Sequence, residues 1–182
     1  MATNPAPGDL ERVRRFVNTW DAEDDTDAVP DAAALTEWLA GESLLGKGER
    51  ASAADVRRAH AVREALRATM LSHHGEPLDT DAPDVLCEAS RRARLEVRFG
   101  DDGSSRLEPA AEGVDGALGR LLTIAHEAEH DGTWQRLKIC PADDCRVAFF
   151  DKSRNRSAVW CDMAVCGNRH KVREYRERRL RA

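Results

Sequence analysis

Aromatic residues make up only 5% of this 182-residue chain: one Tyr, four Phe and four Trp. That scarcity leaves few rings on which exposed RNA bases could stack. No apolar run approaches the roughly 18–20 residues of a membrane span, which excludes an integral membrane protein. The opening MATNPAPGDLERVRRF lacks the basic-then-apolar order of a secretory signal, so the expected compartment is the cytoplasm. Cysteines number five, an odd count that argues against a disulfide framework. No glycine-rich phosphate loop, nucleophile elbow or paired-carboxylate arrangement stands out, and no internal repeat is visible. What remains is globular, at 41% hydrophobic and 34% charged residues. Such a chain suits one domain, or one domain plus a small module. Its abundance of Ala, Arg and Asp suits a GC-rich bacterial genome.

Charge is unevenly placed. The whole chain carries 28 basic and 33 acidic side chains, a net of −5, yet the stretch from Arg136 onward carries 13 basic and 6 acidic ones. The first 135 residues are therefore strongly acidic and the tail strongly basic, which points the tail toward a polyanion. The alternative is that the tail docks on the acidic body of its own chain.

The pattern predicts a mainly α fold with a small β-hairpin. Leu10, Val13, Phe16, Val17 and Trp20 recur at helical spacing behind Asp9 as a cap. An acidic loop runs from Asp21 to Pro30. Asp31 then caps a short helix with Leu35, Trp38 and Leu39. Ser52 and Asp55 form a capping-box start to a longer helix through Val56, Val62, Leu66 and Met70, ended by Gly75 and Pro77. Another begins near Asp81–Pro83 and carries Val85, Leu86 and Ala89, with Cys87 expected as a buried thiol. Leu95, Val97 and Phe99 alternate with charges as a half-buried strand does. The turn Asp101–Gly103 leads to a second strand near Arg106–Glu108. A helix from about Val114 to Glu129 uses Leu118, Leu121, Leu122 and Ala125. After Gly132 the character changes, which sets the expected division at residues 1–132 and 133–182.

The strongest chemical signal is four cysteines in two equally spaced pairs, Cys140 with Cys145 and Cys161 with Cys166. Zinc takes four soft ligands in a tetrahedron, and two close pairs brought together by a hairpin supply them. A module of about 47 residues builds too small an apolar core to stand alone, so one structural Zn2+ is physically motivated. Four thiolates leave no open position for catalysis. Lys138 and Ile139 should end one strand. Val147, Phe149 and Phe150 should form the next, with their rings over the metal. A helix is expected from about Ala164 to Arg179, giving a treble-clef-like order.

Around those cysteines, the segment CPADDCRVAFFDKSRNRSAVWCDMAVCGNRHKVREYRER resembles the CGNR zinc finger, named for the box that is here Cys166 to Arg169. Cys140-Pro141, Phe149, Asp151, Ser153-Arg154-Asn155, Trp160-Cys161, Lys171 and Arg173 share in the match. The body resembles the ABATE type of stress-induced transcription regulator domain, on Phe16-Val17-Asn18-Thr19, Leu35 and Trp38-Leu39. The resemblance implies a multihelical N-terminal regulatory domain, a zinc-bound finger and a role in bacterial transcription. Ala158 and Val159 stand where the finger family often has further basic residues, so no DNA contact is carried over to them.

On a helical wheel Val165, Val172 and Tyr175 share a face expected to pack on the module. Arg169, Arg173 and Arg176 form an adjacent basic stripe, with Lys171 on another flank. Arginine's planar fork suits phosphate and guanine. Asn168 suits adenine or the helix start, and Lys152, Arg154 and Arg156 suit phosphates beside the helix. DNA is thus the expected partner, and a homodimer would double a short site. The competing view is a solvated helix held by Glu174–Arg178 and by Glu177 with Arg173 or Arg181. A zinc-stabilised module gripping an acidic protein is the alternative function. A third is a zinc peptidase, because His126-Glu127-Ala128-Glu129-His130 fits H-E-x-x-H on a helix. That motif lacks a third ligand and room for a cleft, so no enzyme is expected. His73 and His74 read as cations at a helix end. Asn18 and Thr19 read as helix-end hydrogen bonding, or as part of a small-molecule effector pocket.

Overall fold

The computed structural model describes residues 4–75 and 77–181, with the side chains of Glu177, Leu180 and Arg181 outside that description. Helix α1 (Leu10–Val17) buries Leu10, Val13, Phe16 and Val17. It stops short of Trp20, and Asp9 pairs with Arg12 at 2.8 Å instead of capping. Trp20 opens strand β1 (Trp20–Asp21), which pairs antiparallel with β2 (Thr26–Asp27), so the acidic stretch is a tight hairpin. Arg63 pins it, donating to both Asp27 oxygens and to the Thr19 hydroxyl. Burial alone would raise the Asp27 pKa, but the Arg63 hydrogen bonds and charge hold it below the ordinary carboxylate value.

Helix α2 (Ala32–Gly41) starts where Asp31 accepts from the Ala33 and Ala34 amides. Helix α3 (Ala53–Ser72) starts with the expected Ser52–Asp55 capping box and buries Val56, Val62, Leu66 and Met70. Helices α4 (Ala82–Ala93) and α5 (Gly113–Asp131) pack on α3 and on each other, with α1 against α3 and α5. Close packing is visible at Gly119, where an added Cβ would lie 2.5 Å from the Ala93 Cβ and 2.9 Å from the Pro109 Cβ. Cys87 is exposed, contrary to expectation. The buried stripe of α4 is Ala82, Ala89 and Ala93, and Cys87 sits about 200° round the wheel from Ala89.

Strands β3 (Leu95–Phe99) and β4 (Ser105–Pro109) form the expected hairpin. The expected half-burial fails. Val97 is 59% and Phe99 78% exposed, because only the Leu95–Pro109 end packs on α5 at Gly119 and the strands outrun it.

Strands β5 (Leu137–Ile139) and β6 (Ala148–Phe150) form a third antiparallel pair. Side chains alternate across a strand, and here each face has a separate task. Leu137, Ile139, Ala148 and Phe150 join the main helical core. Phe149 turns the other way, into a small cluster with Cys140, Cys145 and Cys166. One aromatic ring of the strand therefore covers the cysteines, and its neighbour anchors the hairpin to the body.

Helix α6 (Asn168–Arg181) follows a wide π turn, Met163–Gly167, so the expected helix start at Ala164 is that turn. Val165, Val172 and Tyr175 are 44%, 48% and 56% exposed, and do not pack on the module. The main contacts of α6 are with the π turn, and its described side chains from Lys171 onward are exposed.

Candidate metal centre

The end of β5 delivers Cys140, and a tight turn returns the chain with Cys145 through a Cys145 N to Ala142 O bond of 3.0 Å. Cys140 N also donates to Val147 O at 2.9 Å, closing the knuckle. The second pair is set by Asp162, whose carboxylate accepts from the Ala164 and Val165 amides and starts the π turn holding Cys166.

The four Sγ atoms lie within 4.8 Å of one another, and all four cysteines are free thiols. Cys145 to Cys161 is 3.5 Å and Cys161 to Cys166 is 3.7 Å. A zinc–sulfur bond of about 2.3 Å makes the edge of a ZnS4 tetrahedron about 3.8 Å, close to these two separations. Proton chemistry agrees. Hydrogen bonds from Cys145 and Cys161 hold the Cys140 thiol down at about 2. Donating to that thiolate pushes Cys145 up to about 12, and Cys161 is pushed up further by Cys140 and Cys145. Four thiolates held this close repel one another, and a dication supplies the missing charge. The four cysteines form a centre for one structural zinc ion, with Phe149, Val147, Ala158 and Trp160 packed around them.

Arg169 stands beside the sulfurs. Its Nη2 donates to Cys166 Sγ at 3.3 Å, and Nη1 lies 3.3 Å from Asp144 and 3.4 Å from Glu23 of the β1–β2 hairpin. The Cys166 sulfur holds this guanidinium firmly protonated. Asn168 is exposed and its Nδ2 donates to Ala164 O, finishing the π turn. Gly167 lies close under Trp160, where an added Cβ would stand 3.2 Å from the indole Cδ1.

The remaining cations face outward. Lys152, Arg154, Arg156, Lys171, Arg173 and Arg176 are all exposed. Arg173 lies 3.9 Å from Asp144, and Arg178 3.9 Å from Glu174. The expected Glu177 pairings fall outside the described side chains. Among the described residues, Arg169 is the single α6 cation that meets an acidic group of the body. The loop carrying Lys152 to Arg156 is shaped from beneath by Asp151, which is fully buried. Its carboxylate accepts from Lys138 Nζ at 2.8 Å and from the amides of Ser153 and Ala158. Lys138 Nζ also donates to the carbonyls of Arg156 and Ala158.

A polar seam, unforeseen in the sequence, joins the metal module to the body. Asn18 Nδ2 donates to Ala148 O at 2.9 Å while its Oδ1 accepts from Ala148 N at 2.7 Å. Arg67 reaches Val17 O and Arg146 O, and Phe150 N donates to Asn4 O. His73 Nδ1 and His74 Nε2 each lie 2.7 Å from a β5 carbonyl, of Leu137 and Ile139. Burial lowers the His73 pKa, against the bond to Leu137, so a neutral ring replaces the expected helix-end cation. The signal for this seam was present as polar residues, Asn18 and His73 among them, at the ends of apolar helix faces.

His126 and His130 meet edge to face with centroids 4.3 Å apart, and His130 Nδ1 is occupied by the His126 carbonyl at 2.8 Å. No third His, Cys, Asp or Glu joins them as a metal-holding group among the described residues.

Comparison with known families gives two matches that together span most of the chain. Residues 10–130 match the ABATE family, described as "Putative stress-induced transcription regulator", and residues 136–179 match the CGNR zinc finger. No curated protein matches the chain.

Proposed function

This chain belongs to the ABATE family, and on that footing we propose that it is a cytoplasmic bacterial transcription regulator that binds DNA through its zinc finger. The observation that carries the proposal is the exposure of the described side chains of α6 from Lys171 onward. If the basic tail neutralised the acidic body, its cations would be paired there, and among the described residues Arg169 alone is. The 14 residues of α6 span about 21 Å at 1.5 Å per residue, a length that fits a major groove. The zinc site fixes the root of that helix, because Cys166 lies in the turn from which α6 grows. Lys171, Arg173 and Arg176 are the helix contacts, and Lys152, Arg154 and Arg156 grip phosphates beside it. Asn168 and Arg169, engaged with Ala164 and with Cys166, Asp144 and Glu23, position the helix start and reach DNA only at its edge.

The body is the regulatory half. A groove of about 440 Å³ between α3, α4 and α5, floored by Val62, Val85 and Leu118, is where a small effector would fit.

The test is a titration of zinc-loaded protein against duplex DNA across a salt series, with a chelated control. If four phosphates are met, raising salt from 50 to 200 mM should weaken binding about 150-fold, from a log–log slope near −0.9 per phosphate. Arg176→Ala should reduce the slope by about one unit while leaving the fold intact. No binding at low salt by folded, zinc-loaded protein would overturn the DNA reading and turn attention to an acidic protein partner.

A further inference from the structure

We propose that the free edge of strand β3 is a homodimer interface, at which two copies pair antiparallel about Val97 and join their hairpins into one four-stranded sheet. The inference is independent of whether α6 meets DNA.

The hydrogen-bond phase of the hairpin shows which groups are open. Gly100 N donates to Ser104 O at the turn, and Ala110 N donates to Arg94 O at the far end. Both pairs belong to the Leu95–Pro109 register, and narrow and wide pairs alternate along an antiparallel ladder. Glu96 and Arg98 therefore bond inward to β4, while Leu95, Val97 and Phe99 aim their N–H and C=O groups away from it. Among the described residues nothing meets those groups. The outer edge of β4 differs, because Pro109 stands there with no N–H to give. The β3 edge is open at all three positions, whereas the β4 edge is interrupted at Pro109 and open only at Leu107 and Ser105.

The open edge is complementary to itself. With Val97 facing Val97 of the second copy, LEVRF laid against LEVRF puts Leu95 opposite Phe99 and Glu96 opposite Arg98, twice each. The outward-aimed residues then become the hydrogen-bonded pairs of the new ladder. Glu96 and Arg98 fall at the closer-spaced positions, where opposite charges attract across strands. In the single chain these two meet only each other, at 3.0 Å along one strand and half exposed. On the other face, the exposed Val97 and Phe99 gain apolar neighbours. An edge strand left open in this way is a template for pairing, and its charges decide which partner it accepts.

Sedimentation equilibrium of the full zinc-loaded chain, from low micromolar to submillimolar concentration, tests the interface. Wild type should show a reversible monomer–dimer equilibrium. Arg98→Glu, which sets Glu against Glu, should weaken it about tenfold or more, and Glu96→Arg with Arg98→Glu should restore it. Val97→Pro removes an outward N–H without touching the β3–β4 ladder and should yield monomer. In a Cys87→Ser background, Val97→Cys should crosslink on mild oxidation, because facing hydrogen-bonded residues stand about 5.5 Å apart at Cα, within disulfide reach. Monomer at every concentration, or a dimer that Arg98→Glu leaves unchanged, would overturn the proposal.

Discussion

Asn18 carries a prediction that separates a clamp from a mere helix end. Its amide exchanges two hydrogen bonds with one residue of β6, 2.9 Å to Ala148 O and 2.7 Å from Ala148 N. In Asn18→Ala the Ala148 carbonyl keeps Arg14 Nη1 at 3.3 Å, but the buried Ala148 amide is orphaned. An orphaned N–H costs about 1–3 kcal/mol, and the lost donor about another 0.5–1.5, for a total of about 1.5–4.5 kcal/mol. Asn18→Asp keeps the acceptor for Ala148 N but turns its second carboxylate oxygen on the Ala148 carbonyl, so its loss includes that repulsion and the protection of the Ala148 amide is what separates the two variants. Urea denaturation of the zinc-loaded chain measures both, and hydrogen exchange at the Ala148 amide should accelerate in the Ala variant alone. No loss in Asn18→Ala, or an Ala148 amide that exchanges equally fast in both variants, would refute the clamp.

Four further outcomes are expected. Burial alone would raise the Asp151 pKa, but the hydrogen bonds from Lys138 and Ser153 hold it at about 2, so Asp151→Asn leaves Lys138 buried without its counter-charge. The cost should be about 3–5 kcal/mol by denaturation, with less lost in the Lys138→Met/Asp151→Asn double variant. For His73, burial holds the folded pKa below 6.5, so the unfolded chain binds a proton that the fold refuses. Stability should therefore fall as pH drops below about 6.5, and the stability gap between wild type and His73→Asn should narrow from pH 7.5 to 5.5; a widening gap reverses the sign and sinks the assignment. Chelating zinc should lower the thermal transition of the whole chain, because Leu137, Ile139 and Phe150 belong to the body's core; a body that melts unchanged would show the two halves to be uncoupled. Gly119→Ala should cost about 1–3 kcal/mol by overpacking against Ala93 and Pro109, read as a lower urea midpoint at unchanged slope.

The metal centre was legible because metal ligation is written in residue type and spacing. Two cysteine pairs with equal gaps admit few other uses, and the Cys166–Arg169 box carried the family with it. The helices were legible for a related reason. Asp31 and the Ser52–Asp55 box are local signals, satisfied by amides within three residues, and need no tertiary partner to act.

What only the tertiary structure decided is which face of each element meets something. Val97 and Phe99 alternate as a half-buried strand should, yet they overhang α5, and periodicity says nothing about where a neighbouring helix ends. Val165, Val172 and Tyr175 share a face that the fold leaves uncovered, and Cys87 lies off the stripe that α4 buries. Asn18, His73 and Asp151 are polar residues whose partners lie 130, 64 and 13 positions away. Local pattern can mark such a residue as polar at the end of an apolar face, but it does not name the partner, since each end is satisfied only after the chain has closed. The sequence by itself determined the zinc ligands and the helical body. The hold of the body on the finger, and the freedom of α6 and of the β3 edge, came from packing.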